Sequence, residues 1–102
     1  MTTLYGLKNC DTCRKAITAN PDAQFVDIRT EADLAAKVPH WLEAVGVERL
    51  VNTKSTTWRG LSDADKAAAK AGDAAVLVAH PALIKRPVIE DGDAVTVGWP
   101  PR

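Results

Sequence analysis

The chain's only two cysteines stand three residues apart, in Cys10-Asp11-Thr12-Cys13, where an extended segment gives way to a helix. Ahead of them, Thr2-Thr3-Leu4-Tyr5 has the β-branched and aromatic content of a short strand, and Gly6 to Asn9 read as a loop. Behind them, Arg14-Lys15-Ala16-Ile17 begins a helical run. The thiolate is the reactive form of cysteine, and the free N–H groups and positive dipole end of a helix stabilise it, lowering a pKa that starts near ~8.5. Cys10 falls at that end, and Cys13 lies roughly one helical turn deeper.

Three readings of the pair compete. A cysteine pair at this spacing after a strand and a loop points to a redox motif of the thioredoxin type. A zinc site needs two more ligands, and His40 and His80 lie too far along the chain to complete a compact zinc pattern, so no metal is expected. Free cysteine also serves as a small buried apolar residue. The flanking Lys8, Asn9, Asp11 and Arg14 argue against a dry core position.

At 102 residues the chain is expected to form one domain, residues 1–102, able to bury roughly two-thirds of its unfolded surface. Thirteen basic and thirteen acidic side chains cancel, so no net field favours nucleic acid or an anionic membrane, and neither partner is expected. No apolar run approaches the ~20 residues of a membrane span, and no signal segment opens the sequence. The expected location is the cytoplasm. In that reducing compartment a Cys10–Cys13 disulfide would be a catalytic or sensing state rather than a staple.

The first helix is expected over Asp11–Ala19, ended by Asn20-Pro21-Asp22, and Gln24-Phe25-Val26-Asp27 reads as a second strand. Right-handed crossover makes those strands parallel. Thr30 with Asp33 resembles a helix N-cap, and Leu34, Val38, Trp41, Leu42 and Val45 form one apolar stripe running to Gly46. Pro39 interrupts the stripe, so either the helix kinks or two helices abut. His40, beside it, reads as a solvated or core-edge histidine. Val47 to Leu50 make one more turn, and Asn52 to Gly60 read as a polar loop containing Trp58. Ser62 with Asp65 caps a helix that Gly72 ends, with Lys66 and Lys70 facing solvent. Asp73 caps a short helix over Ala74–Ala79 that buries Val76, Leu77 and Val78, and His80-Pro81 closes it. Val88-Ile89-Glu90, the turn Asp91-Gly92 and Asp93 to Val97 read as an antiparallel hairpin.

In this order of elements, three segments carry a resemblance over nearly the whole chain: Tyr-Gly-Leu-Lys-Asn-Cys-Asp-Thr-Cys-Arg-Lys-Ala at 5–16, Leu-Val-Asn-Thr-Lys-Ser-Thr-Thr-Trp-Arg at 50–59, and His-Pro-Ala-Leu-Ile-Lys-Arg-Pro-Val at 80–88. With them the chain resembles the ArsC/Spx family of thioredoxin-fold proteins, and most closely its YffB-type branch. The resemblance implies an α/β, thioredoxin-like fold with a mixed central sheet and an inserted helical portion. It implies Cys10 as nucleophile, Arg86 as the arginine that holds an oxyanion beside it, and Pro87 as the proline that is typically cis and faces the active cysteine. A guanidinium suits that role because it offers a forked cationic donor to thiolate, carboxylate or oxyanion.

Arsenate-reducing members carry further anion-binding arginines where this chain aligns Asn52 and Trp99, which weakens an arsenate reading because an anion loses two charge-assisted contacts. Arg59 would substitute if its loop folded over Cys10. Trp58 reads as a loop anchor. The expected function is that of a small, monomeric thiol-disulfide reductase acting on a small thiol or disulfide substrate. Glutathione or glutaredoxin is the expected reductant, and no cofactor is bound. Cys10 attacks, favoured by the helix terminus and Lys8 and opposed by Asp11, and Cys13 resolves the intermediate or tunes Cys10. Lys8, Asn9, Asn52, Arg59 and Pro87 are the expected substrate-binding residues. The alternative is an Spx-like redox-sensing regulator that binds RNA polymerase, although the chain lacks the further C-terminal segment expected in that group.

Overall fold

The protein is described by a computed structural model for residues 2–100. It divides into two compact units: the described residues up to Ala32 together with those from Arg86 onward, and Asp33–Lys85.

The first unit is a four-stranded mixed sheet and one helix. Its strands are β1 (Thr2–Gly6), β2 (Gln24–Asp27), β3 (Val88–Asp91) and β4 (Ala94–Val97), and helix α1 spans Asp11–Ala19. The order across the sheet is β2-β1-β3-β4. β1 runs parallel to β2 and antiparallel to β3, and β3 is antiparallel to β4. The parallel pair is the outcome of the α1 crossover, and the antiparallel pair is a hairpin, so the mixed sheet follows from two local rules. Leu4 registers with Phe25 on one side and Ile89 on the other, which puts all three on one face. That face is covered by α1: Leu4, Ala16 and Ile89 are buried together, with Ile17, Ala23, Phe25 and Trp99 packed around them. Complete burial of a leucine such as Leu4 contributes about 1.5–3 kcal/mol. On the opposite face Tyr5 donates its hydroxyl hydrogen to Glu90 Oε1 at 2.9 Å, a diagonal cross-strand contact.

The hairpin turn sits one residue later than the sequence suggests. Asp91 pairs with Ala94, leaving Gly92 and Asp93 as the two-residue loop. Gly92 has φ +60 and Asp93 does not have a positive φ, the signature of a type II′ turn with glycine in its first central position.

The second unit is helical. Helices α2 (Leu34–Val45), α3 (Val47–Leu50), α4 (Thr56–Arg59), α5 (Asp63–Lys70) and α6 (Ala74–Ala79) precede a 3₁₀ turn at Pro81–Leu83. Pro39 lies inside α2, which continues through it. Leu34, Val38 and Trp41 are buried, while Leu42 and Val45 at the end of the same stripe are half-buried. The cap of α2 is Asp33, whose Oδ1 accepts from the Ala36 N–H at 3.3 Å. Thr30 is not that cap: its N–H goes to Asp27 Oδ1 at 3.2 Å, in the turn after β2.

Residues 52–60 are not a loop throughout, because α4 forms within them. Thr-Thr-Trp has weak helix propensity, but Ser55 Oγ accepts the Trp58 N–H at 3.1 Å and Trp58 is buried, and together these outweigh it. Lys70 also departs from expectation, with its Nζ 5.8 Å from the centre of the Trp58 ring rather than in open solvent. Val78 is half-buried, unlike Val76 and Leu77. Among the described residues no helix is long and apolar enough to cross a membrane.

Candidate functional site

The loop from β1 to α1 is held at both ends. Cys10 donates its N–H to the Leu7 carbonyl at 3.2 Å, and its own carbonyl accepts the Arg14 N–H at 2.9 Å, the first turn of α1. Arg14 reaches back to donate from Nε to the Lys8 carbonyl at 2.9 Å, tying the loop to the helix. Its Nη1 stands 3.7 Å from Asp11 Oδ1, a solvent-exposed pair that contributes little. Cys10 is the N-cap of α1, with extended backbone (φ −95, ψ 125), and its side chain makes no capping hydrogen bond. It is half-buried, whereas Cys13 is fully buried.

The two thiols have opposite electrostatics. Partial burial works against ionisation of Cys10, but several groups oppose it: the Cys13 N–H, the Cys13 thiol, the Thr12 N–H and the Arg86 charge. Together they bring its pKa below that of an ordinary thiol. For Cys13 burial prevails. With the negative charge of a Cys10 thiolate beside it, and against the Leu7 N–H and Arg86, its pKa is pushed up to about 11. One sulfur is therefore poised to ionise and its neighbour to keep its proton.

Arg86 acts on both. Its Nε is buried and has no hydrogen-bond partner, and among the described residues it forms no ion pair. Pro87, which follows it, is fully buried, and the Arg86–Pro87 peptide bond is cis. A buried, unpartnered guanidinium nitrogen costs free energy unless an acceptor arrives. The position suits an anion or a thiolate.

The remaining expected residues fall in both units. Lys8 is exposed, and its Nζ lies 5.6 Å from the centre of the Phe25 ring on β2. Asn9 is exposed in the loop. Asn52 and Arg59 belong to the second unit. There the Asn52 N–H donates to the Leu83 carbonyl, its Oδ1 accepts the Lys54 N–H at 3.1 Å, and Arg59 is exposed at the end of α4. Trp99 packs against the Leu4–Ala16–Ile89 cluster. His40 is exposed on α2 and His80 ends α6, and among the described residues no group of His, Cys, Asp and Glu could hold a metal. The second unit also contains a cavity of about 390 Å³ bordered by Val47, Glu48, Val51, Thr53, Lys70 and Lys85, which sequence patterns did not signal.

Two residues of the 5–16 segment gain a role only from the structure. Leu7 donates its backbone N–H to Cys13 Sγ at 3.5 Å. Gly6, the last residue of β1, lies so close to Cys13 that a Cβ built on it would fall 2.6 Å from Sγ. A glycine ending a strand just before a cysteine pair is a signal for close backbone approach.

Comparison with known proteins points in one direction. A sequence model of the ArsC family matches residues 5–102. An uncharacterized protein from Haemophilus influenzae is 38% identical over 101 residues, covering 93% of this chain and 89% of that protein. Among solved structures, a YffB protein superposes with a TM-score of 0.84 at 33% identity, covering 97% of this chain and 91% of that one. An arsenate reductase-related protein from Brucella melitensis superposes with a TM-score of 0.75 at 33% identity, covering 96% and 86%. The fold is the thioredoxin-like one of these neighbours.

Proposed function

Because this chain belongs to the ArsC family, we propose that it is a thiol-disulfide reductase in which Cys10 is the nucleophile and glutathione the electron donor. One observation carries the reading: Cys10 begins a helix, is half-buried, makes no capping bond, and is surrounded by groups that favour its thiolate. In the proposed cycle the Cys10 thiolate attacks one sulfur of a substrate disulfide, forming a mixed disulfide and releasing the other half as a thiolate. Cys13 then gives up its proton to that leaving thiolate or to water and attacks Cys10 Sγ, which expels the remaining half and leaves a Cys10–Cys13 disulfide. Two glutathione molecules, oxidised to one glutathione disulfide, restore both thiols. The buried Arg86 Nε supplies a donor to the departing thiolate or to a carboxylate of the substrate.

Arsenate is a poor substrate in this reading. Asn52 and Trp99 align where arsenate-reducing members carry arginines, and Trp99 is engaged in the packing of the sheet face. Glutaredoxin as a second donor, a cytoplasmic location and a monomeric state are part of the same proposal.

The test is a trap. A Cys13→Ser variant exposed to glutathione disulfide is expected to remain glutathionylated at Cys10, while the wild type proceeds to the internal disulfide, both read by intact-mass and peptide analysis. Absence of adduct at Cys10 would sink the reading. So would the recovery of RNA polymerase subunits, in place of glutathione, on the same cysteine in cells.

A further inference from the structure

Cys13 is fully buried, and its sulfur occupies a place that exists only because residue 6 lacks a side chain. The strand end is otherwise ordinary. Gly6 pairs with Asp27 in the β1–β2 ladder, its carbonyl accepts the Ile28 N–H at 3.0 Å, and its φ is not positive. No backbone conformation demands glycine there. The demand comes from Cys13: a Cβ at residue 6 would fall 2.6 Å from its Sγ and 3.4 Å from its Cβ, with Leu4 Cδ2 next at 3.6 Å. The first distance is a collision and the other two are tolerable contacts, so the conflict is with the sulfur alone.

Seated there, the sulfur receives the Leu7 N–H at 3.5 Å, and the Cys13 thiol is among the groups that favour the Cys10 thiolate. We propose that Gly6 is a positioning residue for the thiol pair, holding the Cys13 sulfur against the end of β1 so that its S–H is donated to Cys10. This rests on the proposed role of Cys10 as nucleophile and assigns to a backbone position the control of its reactivity. A side chain at residue 6 displaces Cys13 toward Cys10 or outward. It breaks the Leu7 contact and turns the thiol away from its donor geometry. The acidity of Cys10, to which the Cys13 thiol contributes, then falls back toward that of a free thiol.

The experiment compares Gly6→Ala, Cys13→Ala and the double variant, each reduced, by the pH dependence of Cys10 alkylation with iodoacetamide and by labelling at Cys13. In Gly6→Ala the Cys10 midpoint is expected to rise by ~0.5 pH units or more, about threefold in thiolate at a fixed lower pH, and Cys13 becomes alkylated in the native protein. In the Cys13→Ala background, adding Gly6→Ala is expected to move the Cys10 midpoint no further. It should also leave the melting temperature at or above that of Cys13→Ala alone, because the colliding sulfur is gone. An unchanged profile in Gly6→Ala, or an equal shift with and without Cys13, would overturn the assignment. If Gly6→Ala does not fold, recovery of folding in the double variant supports the contact, and failure to recover overturns it. A wild type that shows the Gly6-dependent profile yet exchanges no disulfide defeats the reductase reading and leaves the assignment of Gly6 in place.

Discussion

Four helices of the second unit begin on side chains that cap them, whereas the helix of the first unit begins on one that does not. Asp33, Ser55, Ser62 and Asp73 each accept a backbone N–H from the first turn they precede, at 3.3, 3.1, 3.1 and 3.0 Å. Such a cap contributes typically ~1 kcal/mol. Cys10 stands in the same position before α1 and makes no capping hydrogen bond, although the N–H groups of Thr12 and Cys13 favour its ionised form. The same local geometry is used for stability in one region and for acidity in the other. A helix start left without a cap gives up some stability, and its polarised N–H groups remain available to a charge that appears only when the thiol ionises.

The most severe way to break this contrast is Cys10→Ser, which is expected to abolish disulfide exchange while changing stability by no more than about 1 kcal/mol. Serine cannot form the mixed disulfide, and its hydroxyl stays protonated near neutral pH. It can cap, so α1 would come to resemble its counterparts in the second unit. Activity assay and urea denaturation of the same preparation check both halves. Unfolding of the variant would mean that the sulfur is structural.

The second expected effect lies in alkaline solution and concerns Cys13. Its native pKa is raised to about 11, whereas an unfolded thiol ionises near ~8.5. Between those values the native state holds a proton that the unfolded state has lost, so stability falls as pH rises through the window. Cys10 has the opposite sign: its depressed native pKa contributes stability above the unfolded value, lost as pH falls through the native one. Replacing Cys13 by alanine should flatten the alkaline decline. Denaturation of the reduced proteins from pH ~8 to pH ~10.5 measures the slopes directly. A wild-type curve that rises across this range would contradict the burial of a protonated Cys13.

Much of this arrangement is legible in the sequence where the signal is local. The bounds of α1 and β2, the caps Ser62 and Asp73, and the hairpin all follow from neighbours a few residues apart. The turn is shifted by one because Asp91-Gly92 and Gly92-Asp93 are both good turn pairs, and only the cross-strand register chooses between them. α4 was hidden by its β-branched threonines, since what forms it is the Ser55 cap together with the burial of Trp58, and the burial is a tertiary effect. The order of the strands is equally non-local.

The site divides along the same line. Cys10 and Cys13 are evident from spacing, and Arg86 and Pro87 only through family resemblance, because they come from a distant segment of the chain. Lys8, two residues from Cys10, also stands over the Phe25 ring of β2, a contact between distant segments that local spacing does not signal. Gly6 and Leu7 matter through a contact with a sulfur that no motif encodes.

The smallest expected effect sharpens the contrast from the other side. Ser55→Ala removes the acceptor of the Trp58 N–H, and Ser55 also donates its hydroxyl to the Asn52 carbonyl at 3.1 Å, so both ends of the residue 52–55 turn lose a contact. α4 is a single turn with little intrinsic propensity, and nothing within it replaces the cap. The loss should be about 1 kcal/mol, at the centre of the range for such caps and below what emptying the Trp58 site would cost. Because Ser55 is used for stability and Cys10 for acidity, the variant should shift the denaturation midpoint and leave the pH profile of Cys10 alkylation where it is in the wild type. A change in that profile would show that the helix starts of the two units are energetically coupled, and the division between a capped region and a reactive one would no longer hold.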